Sequence, residues 1–380
     1  MRIAIDASSV PPKPAGAGVY AIELIRAMAA HDRHDGYAAF VREPAPGASR
    51  WINALIEDRK NWRIEPVRVA ARAQRTAWEQ LRLPRRLRAL GIDVLHSTHH
   101  TLPLGPASFR RVVTVHDVTF FRIPQRYPLA RRLYMQTSTQ LAARVADAII
   151  VPSETVRDDV RRFLHVPEAK LDVVYEAAAA RFAPVARAAA AAVARSYGID
   201  GPYVLSVGSL EPGKNRPRLI RALSDLRAEG IGHRLVVVGQ QAWDYALELA
   251  LVRELVMERQ VIFPGYVRDE DLPALYSGAE AVALPSLYEG FGLPVLEAMA
   301  CGAPVLTSNT GATAEVAGAA ALLVDPRSVD AIRDGLRALL CDPGLRADLR
   351  ERGFERAGEF SWQRAAAETH EVYERVVAHG

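Results

Sequence analysis

Two glutamates, Glu289 and Glu297, bracket the stretch Glu289-Gly290-Phe291-Gly292-Leu293-Pro294-Val295-Leu296-Glu297. The apolar run Ala281-Val282-Ala283-Leu284 before it reads as a buried strand, ended by Pro285 and Ser286. Pro294 is placed like the first residue of a helix, where a missing N–H costs nothing. Gly302 is placed like that helix's stop. The segment therefore predicts strand, glycine loop, helix, with Glu289 in the loop and Glu297 about one turn into the helix. Two carboxylates flank a helix N-terminus whose N–H groups favour an anion. A ligand with hydroxyls at two places and phosphate between them suits this pattern, and a nucleotide-sugar is such a ligand.

Other residues carry weaker signals of the same kind. Gly208-Ser209-Leu210-Glu211-Pro212-Gly213-Lys214-Asn215 follows an apolar strand and opens a helix near Arg216. A glycine turn with a lysine at a helix start can clamp a diphosphate, although Lys214 also fits an ordinary surface lysine. The segment lacks the Gly-Lys-Ser/Thr ending of a P-loop. Gly16-Ala17-Gly18 follows the first strand, and its glycines either let a ligand approach the backbone or form a plain flexible loop. His116-Asp117 ends another strand. His116 is either a satisfied structural residue or a donor to a sugar hydroxyl, and Asp117 fixes the local turn. His96, His99 and His100 lack zinc-like spacing and read as a loop near the binding site. Asp269-Glu270-Asp271 contains Asp-x-Asp but reads as an acidic helix start, so no metal site is expected.

The elements that must position these groups alternate. Arg2 to Asp6 reads as a strand, Pro11 to Gly18 as a loop and Val19 to Ala30 as a helix with Val19, Ile22, Ile25 and Met28 on one face. Strands follow at Asp93 to His96, Arg111 to Val115, Asp147 to Val151 and Leu171 to Tyr175, with a helix at Leu129 to Ala146 and a helix capped by Ser153. The alanine-rich stretch Ala177 to Ala194 reads as a connection. A second alternation has strands at Tyr203 to Val207, Arg234 to Val238, Val261 to Phe263, Ala281 to Leu284, Pro304 to Thr307 and Ala320 to Val324. Helices at Val329 to Leu340, Leu345 to Ala357 and Trp362 to Ala378 close the chain. Two such runs imply two α/β domains with doubly wound parallel sheets. The expected division is 1–182 and 183–361, with the helix 362–380 returning to the first domain. Ligands bind such sheets outside the carboxyl ends of the strands, where all of these motifs fall.

The chain has 380 residues, 49% hydrophobic and 24% charged, with a net charge of +4. That balance is ordinary for a globular protein and gives no reason to expect nucleic acid as a partner. Two cysteines, Cys301 and Cys341, supply no disulfide framework, and Cys301 reads as core. The strand at Arg2 and the lack of a long apolar run predict neither a signal peptide nor a membrane span. A cytoplasmic location is expected. Arg72, Arg75, Arg82, Arg85, Arg86 and Arg88 face one acid, Glu79, between Trp78, Leu81 and Leu87. This basic stretch is either a solvated helix face or a peripheral contact with the inner, anionic face of the cell membrane.

With both halves read, the chain resembles the retaining glycosyltransferases of family 4, which have the GT-B fold of two Rossmann-like domains facing a cleft. Glu289 to Glu297 is similar to the family's Glu-x7-Glu motif. Gly265-Tyr266-Val267, Glu297-Ala298-Met299-Ala300-Cys301-Gly302, Pro304-Val305, Asp6 with Gly16-Ala17-Gly18-Val19-Tyr20, and Val115-His116-Asp117 also match. The resemblance implies that Glu289 meets donor-sugar hydroxyls and Glu297 the ribose. Backbone N–H groups of Phe291, Gly292 and Leu293 would meet sugar and phosphate oxygens. Lys214 would neutralise the diphosphate, His116 would touch the donor sugar near the reacting carbon, Gly16 and Gly18 would make room for phosphate, and Tyr266 and Val267 would lie at the base. Relatives often carry an arginine where this chain has Ser209 or Gly213, so Arg216 is expected to help Lys214. Tyr175-Glu176-Ala177-Ala178-Ala179 stands where relatives carry an asparagine–glycine turn.

The implied activity is metal-independent transfer of a hexose, with retained configuration, from a nucleotide diphosphate sugar to a saccharide or lipid-linked saccharide, and no cofactor beyond the donor. The segment Gly208 to Asn215 resembles a mannosyltransferase-rich subgroup that acts in O-antigen and exopolysaccharide assembly, which makes GDP-mannose the leading donor and UDP-sugars the alternative. A non-catalytic nucleotide-sugar-binding protein and a nucleotide-sugar epimerase are the competing classes.

Overall fold

The computed structural model describes residues 1–11, 14–43, 52, 56, 59–69, 71–239, 245–265 and 267–379, with the backbone alone at Arg72 and Tyr245. The chain divides into two compact units, Met1–Glu176 with Ser361–Gly380, and Ala177–Phe360. The change of unit falls before the expected 182/183 boundary. Phe182 already packs edge-on against Tyr276, at 5.9 Å, inside the second unit.

The first unit is built on seven parallel strands: β1 (Arg2–Ala7), β2 (Gly36–Arg42), β3 (Trp62–Val67), β4 (Val94–Ser97), β5 (Arg110–Thr114), β6 (Ala148–Val151) and β7 (Leu171–Val173). Their order across the sheet is β3-β2-β1-β4-β5-β6-β7. The strands are apolar almost throughout because helices cover both faces of a parallel sheet. In β1 every residue after Arg2 is buried. The strands β2 and β3 lie where sequence patterning shows no alternation. β3 is an edge strand carrying Pro66, a residue that central strands exclude.

The helix Trp362–Ala378 belongs to this unit and packs on the helix Ala17–His31. Trp362 lies 5.9 Å from Tyr20, and the Tyr373 hydroxyl is 2.6 Å from His96 Nδ1. His96 is therefore a buried strand residue, not part of a loop near the site. Burial and the neighbouring His116 and His99 hold its imidazole down at about 3, in the neutral form.

The basic stretch is two helices, Arg72–Leu81 and Leu83–Ala89, because Pro84 cannot continue the first. Leu87 is buried, and Trp78 packs toward the core against Phe40, at 5.8 Å. Of the interleaved apolar residues only Leu81 faces solvent.

The second unit has six parallel strands: β8 (Tyr203–Val207), β9 (Arg234–Val238), β10 (Val261–Ile262), β11 (Ala281–Leu284), β12 (Val305–Ser308) and β13 (Leu322–Val324). Their order is β10-β9-β8-β11-β12-β13. Its core joins Val204, Leu235, Val237, Ala283 and Leu306 of the sheet to Leu219, Leu223, Ile332 and Leu336 of covering helices. In each sheet the order reverses beside the first strand of the unit, which is where open α/β sheets leave a crevice for ligands. Among the described residues no helix is long and apolar enough to cross a membrane.

Candidate functional site

In the second unit the loops after β8 and β11 are tied together. Leu287 N donates to Gly213 O (2.8 Å), and the buried Asn215 amide donates to Pro285 O (2.8 Å) and Pro326 O (2.6 Å). Asn215 adopts a left-handed conformation (φ 57°) between the turn Pro212–Lys214 and the helix Arg216–Ala228. This lacing brings Lys214 Nζ within 2.6 Å of Glu289 Oε1, and both side chains are largely buried. The expected diphosphate cation and the expected sugar-binding carboxylate are thus partners of each other.

Gly292 has φ 108° and begins the helix Leu293–Ala300. Pro294 occupies its second position and not its first. A Cβ at Gly292 would press on Thr313 Cγ2 at 3.0 Å, so glycine is required by both conformation and space. No side chain caps this helix start; Pro294 has no N–H and Val295 N donates to Gly292 O (2.8 Å), so the donor that the first turn offers is the Leu293 N–H. Phe291 is buried edge-on against Phe360, at 6.0 Å. Gly302 ends the helix with φ 75°. Burial raises the Cys301 thiol to about 12 and leaves it inert.

Glu297 lies one turn into that helix, where Tyr276 Oη donates to its Oε2 (2.9 Å). Burial raises the Glu297 carboxyl to about 7 against the pull of Tyr276 and Arg181. It is poised between ionised and neutral forms near neutral pH, as a group awaiting hydroxyl donors would be.

One sequence-based expectation changes here, that for Arg216, while Asp271 keeps the place at a helix start that its sequence predicts. Arg216 is fully buried and does not face a ligand. Its Nη1 donates to Ser209 O (2.8 Å), its Nη2 to Gly208 O (2.5 Å), and Glu248 lies 3.6 Å away. It holds the glycine loop from behind, which leaves Lys214 as the loop's outward cation, and Ser209 takes part through its carbonyl. Asp271 pairs with Arg268 and accepts from Tyr197 (2.6 Å), so it braces a helix start. Val267 is buried, and Tyr266 lies outside the described residues.

In the first unit His116 follows β5. Its Nε2 donates to Thr98 O (3.0 Å), its Nδ1 faces Glu176 Oε1 (3.5 Å), and Tyr20 lies edge-on at 4.7 Å. Burial alone would lower its imidazole, but the Glu176 contact and charge outweigh this and raise it. Glu176 thus answers for the atypical Tyr175 to Ala179 stretch: it is the counter-ion of His116. Asp117 Oδ1 accepts from Thr119 N (2.8 Å) and fixes the turn. Gly16 (φ 50°) faces open space, whereas the space beside Gly18 is filled by Pro14 at 3.2 Å and Pro11 at 3.4 Å. Gly18 therefore serves packing of the proline loop, not entry of a ligand.

His99 converges with Glu79 and Asp6, but Arg75 Nη1 already sits 2.7 Å from His99 Nε2 and 2.9 Å from Glu79 Oε2. Burial would raise the Glu79 carboxyl, yet His99, Arg75 and Thr101 pull it down to about 2.

Comparison with known proteins identifies the fold and the family. The sucrose-phosphate synthase of Thermosynechococcus elongatus superposes over 100% of both chains with a TM-score of 0.80 at 22% identity. The two parallel-sheet units therefore share the GT-B fold of that enzyme. A family profile described as Glycosyltransferase Family 4 matches residues 14–180, and one described as Glycosyl transferases group 1 matches residues 193–356. The chain is 35% identical over 266 residues to the O-antigen chain mannosyltransferase B of Escherichia coli, covering 70% of each. It is 31% identical to the MMP alpha-(1->4)-mannosyltransferase of Mycolicibacterium hassiacum, over 76% of this chain and 67% of that one. The protein belongs to glycosyltransferase family 4.

Proposed function

We propose that the protein transfers mannose from GDP-mannose to a saccharide hydroxyl, with retained configuration, in the assembly of a cell-surface polysaccharide or O-antigen. The observation that carries this reading is the Lys214–Glu289 pair at the uncapped helix start, with Glu297 one turn further on. Lys214 and the backbone N–H at the helix start suit a diphosphate, Glu297 suits the ribose hydroxyls, and Glu289 suits those of the sugar. Phe291, Gly292 and Leu293 offer backbone donors along the same edge, and Val267 and Tyr266 are assigned to the base. His116, whose imidazole Glu176 raises above its ordinary value, is assigned to the donor sugar, and Gly16 to close backbone approach. Catalysis then rests on positioning and charge stabilisation: the diphosphate leaves on the face that the acceptor attacks and helps to remove the acceptor's proton. The mannose donor and the polysaccharide setting follow the names of the Escherichia coli and Mycolicibacterium relatives.

A location inside the cell, with peripheral membrane contact through the exposed Arg82, Arg85 and Arg88, fits a lipid-linked acceptor. Sedimentation with anionic vesicles, lost on reversing these three charges, tests that contact.

A thermal-shift panel of GDP-mannose, GDP, UDP-glucose and UDP tests the donor, because a bound ligand raises the melting temperature by mass action. A shift with UDP compounds alone would replace mannose from GDP-mannose by a UDP-sugar. Lys214→Ala should weaken GDP by roughly tenfold or more and guanosine far less. Equal losses would remove Lys214 from the diphosphate.

A further inference from the structure

The first unit has a cavity of about 400 Å³ at the carboxyl ends of β1, β2 and β4. It lies where the strand order β3-β2-β1-β4-β5 reverses, the crevice position of an open α/β sheet. Ser8 follows β1, Arg42 ends β2, and His99 and His100 follow β4. Arg75 comes from the helix Arg72–Leu81, and Arg131 with Tyr134 from the helix Leu129–Val145.

The wall is built for an anion. Three guanidinium groups line it, and none of the described lining residues is acidic. Each guanidinium is placed by another group. Arg42 Nε donates to Val69 O (3.1 Å), Arg75 Nη1 donates to Glu79 (2.9 Å), and Arg131 lies over the Tyr127 ring at 5.5 Å. Ser8 is fully buried, lines the cavity, and its hydroxyl has no hydrogen-bond partner among the described groups. A buried hydroxyl left so is costly unless a ligand completes it. Glu79 and Asp6 stand behind this wall, beside His99.

We propose that this cavity binds a phosphoryl group carried by the acceptor, a proposal that rests on the transferase reading. A phosphoryl group offers three strong acceptors and close to two charges. His100, held neutral at about 4 by burial and by His99, can exchange hydrogen bonds with a sugar hydroxyl beside it. The phosphoryl group comes from one of two sources, a soluble sugar phosphate or a lipid-linked one.

The test is calorimetric titration of the full-length protein, saturated with GDP so that the donor site is filled. The titrants are pyrophosphate, mannose 1-phosphate, and polyprenyl phosphate in zwitterionic vesicles. Arg131→Gln and Arg42→Gln should each weaken binding at least about tenfold, with Arg131→Lys intermediate, while GDP affinity and melting temperature stay near those of the wild type. Saturation by the soluble titrants assigns a soluble phosphate, and saturation by the vesicles alone assigns a lipid-borne one. No saturable binding in any arm, or binding that survives both glutamine variants, overturns the proposal. Should a variant fail to fold, a wild-type titration lacking saturation in all three arms decides alone. A protein that never binds GDP fails the transferase reading instead, so the two failures are distinguishable.

Discussion

Replacing Glu297 by glutamine should make the ligand-free protein more stable and the nucleotide complex weaker. The carboxyl is raised by burial from 4.5 to about 7. A raised carboxyl favours the folded state below its unfolded value, and that contribution is lost as pH rises through the folded value. Above about pH 7 the folded protein must hold a buried carboxylate that the unfolded chain keeps in water. At 1.36 kcal/mol for each unit, the difference is about 3 kcal/mol by pH 8. Glutamine keeps the shape and can still accept from Tyr276, which now donates at 2.9 Å. For a unit of this size the gain corresponds to roughly 6–12 °C in melting temperature. Scanning calorimetry of both proteins at about pH 5 and pH 8 reads it. The advantage of Glu297→Gln should be small at the lower pH and most of it should appear by the higher one. Nucleotide affinity should move the other way, falling about tenfold or more, because an ionised acceptor of ribose hydroxyls is gone. A variant no more stable than the wild type at pH 8 would refute the account of this carboxylate, whatever happens to activity.

The other perturbations separate roles that the ligand-free structure joins. Glu289→Gln releases Lys214 from its 2.6 Å partner, so GDP should bind as well as before or up to about tenfold more tightly, while transfer slows by about a hundredfold. GDP affinity falling in step with the rate would contradict the pairing. Glu176→Gln removes the carboxylate facing His116 and should lower the imidazole's titration, moving the alkaline limb of activity to lower pH. The stability that protonated His116 contributes is complete below the ordinary imidazole value and fades as pH rises through the raised one, so it should fade earlier in the variant. A His116 resonance titrating as in the wild type would end Glu176's role. Arg216→Met leaves two carbonyls and Glu248 without their cation and should cost about 3–5 kcal/mol in denaturant unfolding. A loss below about 1 kcal/mol would show that the loop does not depend on it.

Much of this was legible in the residues because two periodicities and the turn chemistry agree. β8, β11 and the helix after Gly292 follow from apolar runs closed by glycine and proline, and Glu289 and Glu297 fall where those elements put them. The apolar run Tyr37 to Val41 marks β2 as well, whereas β3 was hidden, because a proline-bearing edge strand lacks such a run. Partners distant in sequence were also hidden. Nothing near Arg216 says that its guanidinium turns inward to Gly208 and Ser209 instead of outward beside Lys214. The union of Glu176 with His116, sixty positions apart, depends on the fold bringing β5 and the end of the first unit together. Gly18 shows a different limit: glycine spacing signals close approach, but not whether ligand or protein fills the space.

The return of Trp362–Ala378 to the first sheet makes the second unit an insertion within the first. During synthesis the ribosome delivers residues 177–360 before the helix that buries His96 and Tyr20. The first unit must therefore wait, with its sheet made and one face uncovered, while the second unit finishes. Order of completion is reversed with respect to order of translation, and a nascent chain stalled before residue 361 would hold a folded second unit beside an unfinished first.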